Sequence, residues 1–145
     1  MAIVKKPFGI YAPTVTAFNA DESLNEQGTR AYIRFLLDSN VHGLAPMGSA
    51  GEFIALTEKE RMQVMEWTLA EVNGKIPVYA GTGHYSTRTT IELSRHAKAS
   101  GATGLMLMPP YLLRPPKRDV LDHFRKVRAA VDLPIMVYNV PILAG

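Results

Sequence analysis

The sequence predicts an α/β fold built on a parallel sheet. Three observations carry that expectation. Short apolar runs rich in Val, Ile, Leu and Met alternate with longer polar segments of helical spacing. From the second run onward they recur at roughly 30 residues, the length of a βαβ unit. The runs are also almost continuously apolar, as strands covered on both faces require. The order reads β-α-β-α-β-α-β-α-β, five strands and four helices. No linker, charge block or low-complexity tract divides the chain, so residues 1–145 are expected to form a single domain.

The first run is Ile10 to Phe18, in which Pro13 marks an edge position or a strand end. A helix from about Leu24 to Ser39 follows, with Ala31, Tyr32, Phe35 and Leu36 at three- and four-residue spacing. The second run, Val41 to Met47, ends in Gly48-Ser49-Ala50-Gly51-Glu52. Thr57-Glu58-Lys59-Glu60 is a capping box that opens the second helix. Met62, Val64, Met65, Trp67 and Leu69 populate that helix, and Asn73-Gly74 ends it with a residue that tolerates the left-handed cap. Ile76 to Ala80 is the third run, followed by a helix from about Ser86 to Ala99. Gly104 to Met108 is the fourth, closing in Pro109-Pro110-Tyr111. Pro115-Pro116 introduces the last helix, whose Val120, Leu121, Phe124, Val127 and Val131 form an apolar stripe. Pro134 to Val140 is the fifth run. Met47, Met106, Met108 and Met136 read as core filling.

Composition removes several functional classes. With 47% hydrophobic residues and 20% charged in 145 residues, the chain is not disordered. It has no cysteine, which excludes a disulfide scaffold, a thiolate zinc site and a thiol nucleophile and fits a reducing compartment. Sixteen Lys and Arg against 13 Asp and Glu leave a net charge of +3. The basic residues are scattered without interleaved aromatics, which argues against a nucleic-acid partner. No stretch approaches the roughly 18 apolar residues of a membrane span, and none near the N-terminus resembles a signal peptide, so a cytoplasmic location is expected.

Two architectures fit the element order, an open doubly wound sheet and a (β/α)8 barrel. In both, ligands bind at the carboxyl ends of the strands. Those ends carry Thr14 and Thr16, Gly48 to Glu52, Gly81 to Tyr85, Pro109 to Arg114, and Tyr138 to Pro141. The glycine-flanked loop at Gly48 to Glu52 precedes a helix. Free backbone N–H groups there, with the Ser49 hydroxyl, suit a carboxylate or a small phosphate. The competing reading is a tight turn in which Glu52 bonds nearby amides. Tyr138 ends the fifth run, where a phenol can exchange a proton with a reacting oxygen. Its alternative is a rim tyrosine with a backbone partner. His42, His84, His96 and His123 show no metal-ligand spacing. His96 and His123 fall within helices and read as surface residues, and His42 stands at the wrong end of its strand. Only His84 lies on a loop at the carboxyl ends. No metal and no cofactor are expected.

Three segments in order and at matching spacing, GSAGEFIALTEKER (Gly48 to Arg61), IPVYAGTG (Ile76 to Gly83) and LPIMVYNVP (Leu133 to Pro141), resemble the dihydrodipicolinate synthase and N-acetylneuraminate lyase family. The resemblance runs from about Phe8 to Gly145. It implies a partial (β/α)8 TIM barrel, the N-terminal part only, and class I aldolase chemistry: a Schiff base between a lysine and a 2-keto acid such as pyruvate, in homo-oligomers. It places Ser49 and Ala50 on the family's carboxylate-binding pair next to Gly48, with Ala50 offering only its amide. It makes Tyr138 the proton-relaying tyrosine and puts Tyr111 at the substrate site. Leu112 stands where the synthase itself carries a second tyrosine, and Leu143 where an arginine usually holds a substrate carboxylate. That points to a branch acting on a different 2-keto acid or aldehyde. The Schiff-base lysine belongs to a sixth strand, and none of Lys75, Lys98, Lys117 or Lys126 matches it. The expectation is therefore a lyase whose lysine is not in these residues. The alternative is an inactive half-barrel that binds a small carboxylate or only associates with itself, through unpaired edges near Ile10 to Phe18 and Pro134 to Val140.

Overall fold

This computed structural model describes residues 7–144. Five parallel strands, β1 (Tyr11–Pro13), β2 (Gly43–Ala45), β3 (Tyr79–Gly81), β4 (Gly104–Leu107) and β5 (Ile135–Val137), alternate with α1 (Glu26–Asp38), α2 (Glu58–Val72), α3 (Thr87–Ala99) and α4 (Lys117–Ala130). The ladders are shorter than the apolar runs because the backbone turns away early. Pro13 closes β1, and Met47 takes a left-handed φ of 61° just beyond β2.

Strands β1 and β2 form one parallel pair, with Tyr11 opposite Gly43, and β3-β4-β5 form a second sheet. A single bridge, Leu44 to Val78, joins the two. Leu44 N donates to the Pro77 carbonyl at 3.0 Å within that bridge, and Gly81 N donating to the Pro46 carbonyl at 2.8 Å reinforces it. The strand order is therefore 1-2-3-4-5 without a reversal. The seam between β2 and β3 is tight: a Cβ on Gly81 would overlap the Met47 carbonyl.

The two faces of this arc differ. Leu44, Val78, Ala80, Leu105 and Leu107 point into a core shared with Ile33, Val64, Met65, Leu69, Ala97 and Val127 from the helices. Each such large aliphatic side chain contributes about 1.5–3 kcal/mol by leaving water. On the opposite face Ala45, Tyr79 and Met106 pack with Tyr11, Met136 and Tyr138, all from strands or their ends. Tyr11 and Tyr79 meet edge to face at 5.5 Å. Each ring lies where a side chain on the paired glycine, Gly43 or Gly104, would stand. Helices covering one face, α1 against α2, α2 against α3 and α3 against α4, together with an unreversed strand order, make this an arc of a barrel rather than a doubly wound sheet.

The caps explain the helix limits. Asn25 caps α1, its side chain accepting from Gly28 N at 2.7 Å, so the helix starts after Leu24 rather than at it. Both halves of the Thr57–Glu60 capping box form on α2, and Asn73 ends that helix at φ 45°. Two elements escape the sequence reading, a 3-10 turn at Ser49–Gly51 and a one-turn helix α5 (Pro141–Ala144). Two expectations are corrected. His123 is buried rather than on the surface, because its face of α4 packs on α3, where His123 Nδ1 and Thr87 Oγ1 lie 3.0 Å apart. The Glu52 side chain bonds no amide among the described residues; Glu52 is exposed at a left-handed φ of 54°. No helix among the described residues is long and apolar enough to cross a membrane.

Candidate functional site

The carboxyl ends of β2 and β5 come together at one pair of hydroxyls. Ser49 Oγ lies 3.4 Å from the Tyr138 hydroxyl across 89 residues of sequence. Ser49 stands in the 3-10 turn after β2, and Tyr138 directly follows β5, held by its amide donating to the Leu107 carbonyl at 2.8 Å. The turn itself is fixed from below. Gly51 N donates to the Gly48 carbonyl at 3.0 Å, Glu52 N to the Ser49 carbonyl at 3.1 Å, and Thr16 Oγ1 to the Gly51 carbonyl at 2.7 Å. The Ser49 and Ala50 amides donate to no acceptor among the described residues, and both residues are exposed. Gly48 is buried behind them in extended conformation. Two free amides, one hydroxyl and one phenol thus converge, a set able to hold a carboxylate and exchange a proton. Beside them a cavity of about 320 Å3 is lined by Ser49, Glu52, Phe53, Ile54 and Ala55.

Tyr111 takes a different place. It is 5% exposed, edge-on to Phe53 at 5.8 Å and to Tyr85 at 5.8 Å, with the His84 ring 6.5 Å away. No hydrogen bond joins it to Ser49 or Tyr138 among the described residues. Burial pushes its phenol above the ordinary tyrosine range, and the Arg61 cation opposes that rise. His84 is held below the ordinary histidine range by burial first and by Arg61 second, with Glu58 opposing. Its Nδ1 accepts from Ser86 N at 3.0 Å, so the ring also braces the loop before α3.

The remaining candidates are structural. Thr16 ties β1 to the 3-10 turn, and His42 Nδ1 accepts from Ile10 N at 3.0 Å. His96 Nε2 reaches Glu66 at 3.0 Å between α3 and α2. Thr14 is buried with an unpartnered hydroxyl. Leu112 projects into solvent, 76% exposed, at a left-handed φ of 71°. The Leu143 side chain lies outside the described residues. Lys75 precedes β3, Lys98 lies in the last turn of α3, Lys117 opens α4, and Lys126 pairs with Asp122 at 2.7 Å, which raises its pKa rather than lowering it. No cluster of metal-ligating side chains occurs among the described residues.

Arg61 is the residue that sequence reading missed. Its signal is positional. With Met65, Thr68 and Val72 it completes a stripe at four-, three- and four-residue spacing, and all four are buried. An arginine on the buried stripe of a helix marks a cation that the fold encloses.

Comparison with known proteins bears on the family and the fold. The model of the dihydrodipicolinate synthetase family matches residues 6–145. A DapA-like lyase of Halobacterium salinarum is 42% identical over 137 residues, covering 94% of this chain and 45% of the relative. The 4-hydroxy-tetrahydrodipicolinate synthase of Methanopyrus kandleri is 41% identical over 138 residues, covering 94% and 46%. Among solved structures, a prophage protein of the dihydrodipicolinic acid synthase family from Escherichia coli K12, in complex with pyruvate, superposes with a TM-score of 0.92 at 39% identity, covering 94% of this chain and 46% of that one. The chain spans about half the length of the relatives it matches.

Proposed function

The chain belongs to the dihydrodipicolinate synthetase family, and from that premise we propose that it forms the substrate-carboxylate half of a class I aldolase-type site for a 2-keto acid such as pyruvate. The observation that carries this reading is the Ser49–Tyr138 hydroxyl pair at 3.4 Å beside two free amides. The Ser49 hydroxyl and the Ala50 amide hold the keto acid's carboxylate, with Gly48 leaving room behind them. Tyr138 then stands at the keto oxygen, where it donates a proton as that oxygen leaves as water during condensation with a lysine amine. In this reading none of these 145 residues supplies the lysine. A nucleophilic lysine needs desolvation or a neighbouring cation to lower its pKa, and Lys126, exposed and paired with Asp122, has the opposite setting. Tyr111 backs the site from the aromatic cluster behind the turn. Active forms are homo-oligomers.

A second reading concerns these 145 residues alone: a half-barrel without catalysis that binds the carboxylate or associates with itself. The observation favouring it is the open β5 side. There a hollow of about 740 Å3 is lined by Val120, Leu121, Phe124, Ile135 and Val137 among others. Borohydride trapping with labelled pyruvate separates the readings. Alone, the chain is expected to take no label, while its Ser49 and Ala50 amide resonances shift with pyruvate. A longer polypeptide carrying a sixth strand is expected to be labelled there. Covalent label on the 145-residue chain overturns the missing-lysine reading. Amides that pyruvate leaves unmoved overturn the carboxylate site.

A further inference from the structure

Arg61, the fourth residue of α2, is 3% exposed. Its Nη2 donates to two carbonyls of the β3 rim, Gly81 at 3.2 Å and Gly83 at 3.0 Å. The guanidinium lies 5.2 Å from the centre of the Phe53 ring, and Phe53 is edge-on to Tyr111. Its Nε is buried without a partner. Glu58, the carboxylate that acts on it, is engaged 4.0 Å from His84 and forms no ion pair with Arg61. A buried cation without a carboxylate carries a desolvation cost that a methionine of similar reach would avoid. Both hydrogen bonds come from Nη2, held by the planar guanidinium over Phe53 between carbonyls two residues apart on the β3 rim, a placement that a lysine's flexible ammonium does not reproduce.

We propose that Arg61 is a positioning residue that locks the β3 rim to the start of α2 and sets the placement and charge environment of Tyr111 behind the keto-acid site. Three elements meet at it: α2 through its own backbone, the Gly81–Gly83 rim through hydrogen bonds, and the loop before α2 through Phe53, whose ring is edge-on to Tyr111 in the loop after β4. The direction of its electrostatic effect agrees, since its charge favours the ionised phenol that burial disfavours. What Tyr111 does for substrate rests on the function proposed above; the local effect of Arg61 on Tyr111 does not.

The test places 3,5-difluorotyrosine, whose phenol titrates near neutral pH, at position 111 and follows it by fluorine NMR. Arg61→Gln is expected to raise the midpoint, since the cation that favours the ionised phenol is removed. Arg61→Lys, which keeps the charge, is expected to raise it by less than half as much, yet to shift the Gly81 and Gly83 carbonyl resonances because the two bonds from Nη2 are lost. A filler role alone lowers thermal stability in both variants and leaves the midpoint where it was; that result overturns the proposal. Should Arg61→Gln not fold, Arg61→Lys decides, since an unmoved fluorine resonance with unmoved glycine carbonyls overturns it equally. A pyruvate titration of the unsubstituted chain keeps the two ideas apart. Unmoved Ser49 and Ala50 amides remove the substrate reading and leave the Arg61 result standing.

Discussion

Replacing Gly81 with alanine is expected to open the seam on which the candidate site depends. The added methyl would overlap the Met47 carbonyl, which belongs to backbone and cannot rotate aside. β3 must therefore move away from β2. Overpacking of this kind costs about 1–3 kcal/mol. The move also strains the 2.8 Å bond from Gly81 N to the Pro46 carbonyl, worth about 1 kcal/mol. Among the described residues the same seam is otherwise held by the Leu44–Val78 bridge, which includes the Leu44 N to Pro77 bond, so little shares the load. The sum is about 3 kcal/mol, read as a lower urea midpoint and a fall in Tm of about 2–4 °C per kcal/mol. Gly74→Ala is the control. Its φ of +71° strains an alanine, but nothing stands within 4 Å, so about 1 kcal/mol is expected. Hydrogen exchange locates the damage, with the Leu44 and Gly81 amides losing protection first. A Gly81→Ala loss no larger than that of Gly74→Ala refutes the close-approach argument.

Other expectations follow from the same coordinates. Burial holds His123 below the ordinary histidine range, so it is neutral in the fold and the unfolded chain binds more protons as pH falls below about 6.5. Stability should be full above that pH and decline below it, and urea unfolding should show His123→Gln declining less steeply than the unsubstituted chain. Thr57→Ala removes the hydroxyl half of the α2 capping box and should cost about 1 kcal/mol at neutral pH by thermal unfolding. Glu60 is held below the usual carboxylate range by Thr57, so the difference should shrink as pH falls through the folded Glu60 pKa. Val137 is 59% and Leu121 55% exposed on the open β5 side. Val137→Lys with Leu121→Lys should lower the mass seen by light scattering if that face mediates self-association, and an unchanged oligomer removes the face from the assembly.

The periodicity of the chain made most of the framework legible. The capping box, the Asn73 cap and the five apolar runs are local signals, and each element formed near its expected place. The runs overstated the strands because apolarity reports burial, and residues such as Met47 and Met108 are buried in turns and loops past the ladder. His123 was misread because a histidine in a polar helix gives no hint of which neighbour covers it. Arg61 is as hard to place, since a charged residue gives no hint that the helical stripe it completes is the buried one.

For the site, sequence alone determined the ingredients: a glycine-flanked hydroxyl after one strand and a tyrosine after another, each at a carboxyl end. Local patterning cannot set distances between residues 89 positions apart. Strand order, one-sided helix packing and the tight approach at Gly81 decided that Ser49 and Tyr138 meet while Tyr111 stands back among aromatic rings. Those outcomes depend on how the strands are laid side by side and curved. That is settled by packing across the whole sheet, where every glycine, methionine and tyrosine on the inner face must fit its neighbours at once.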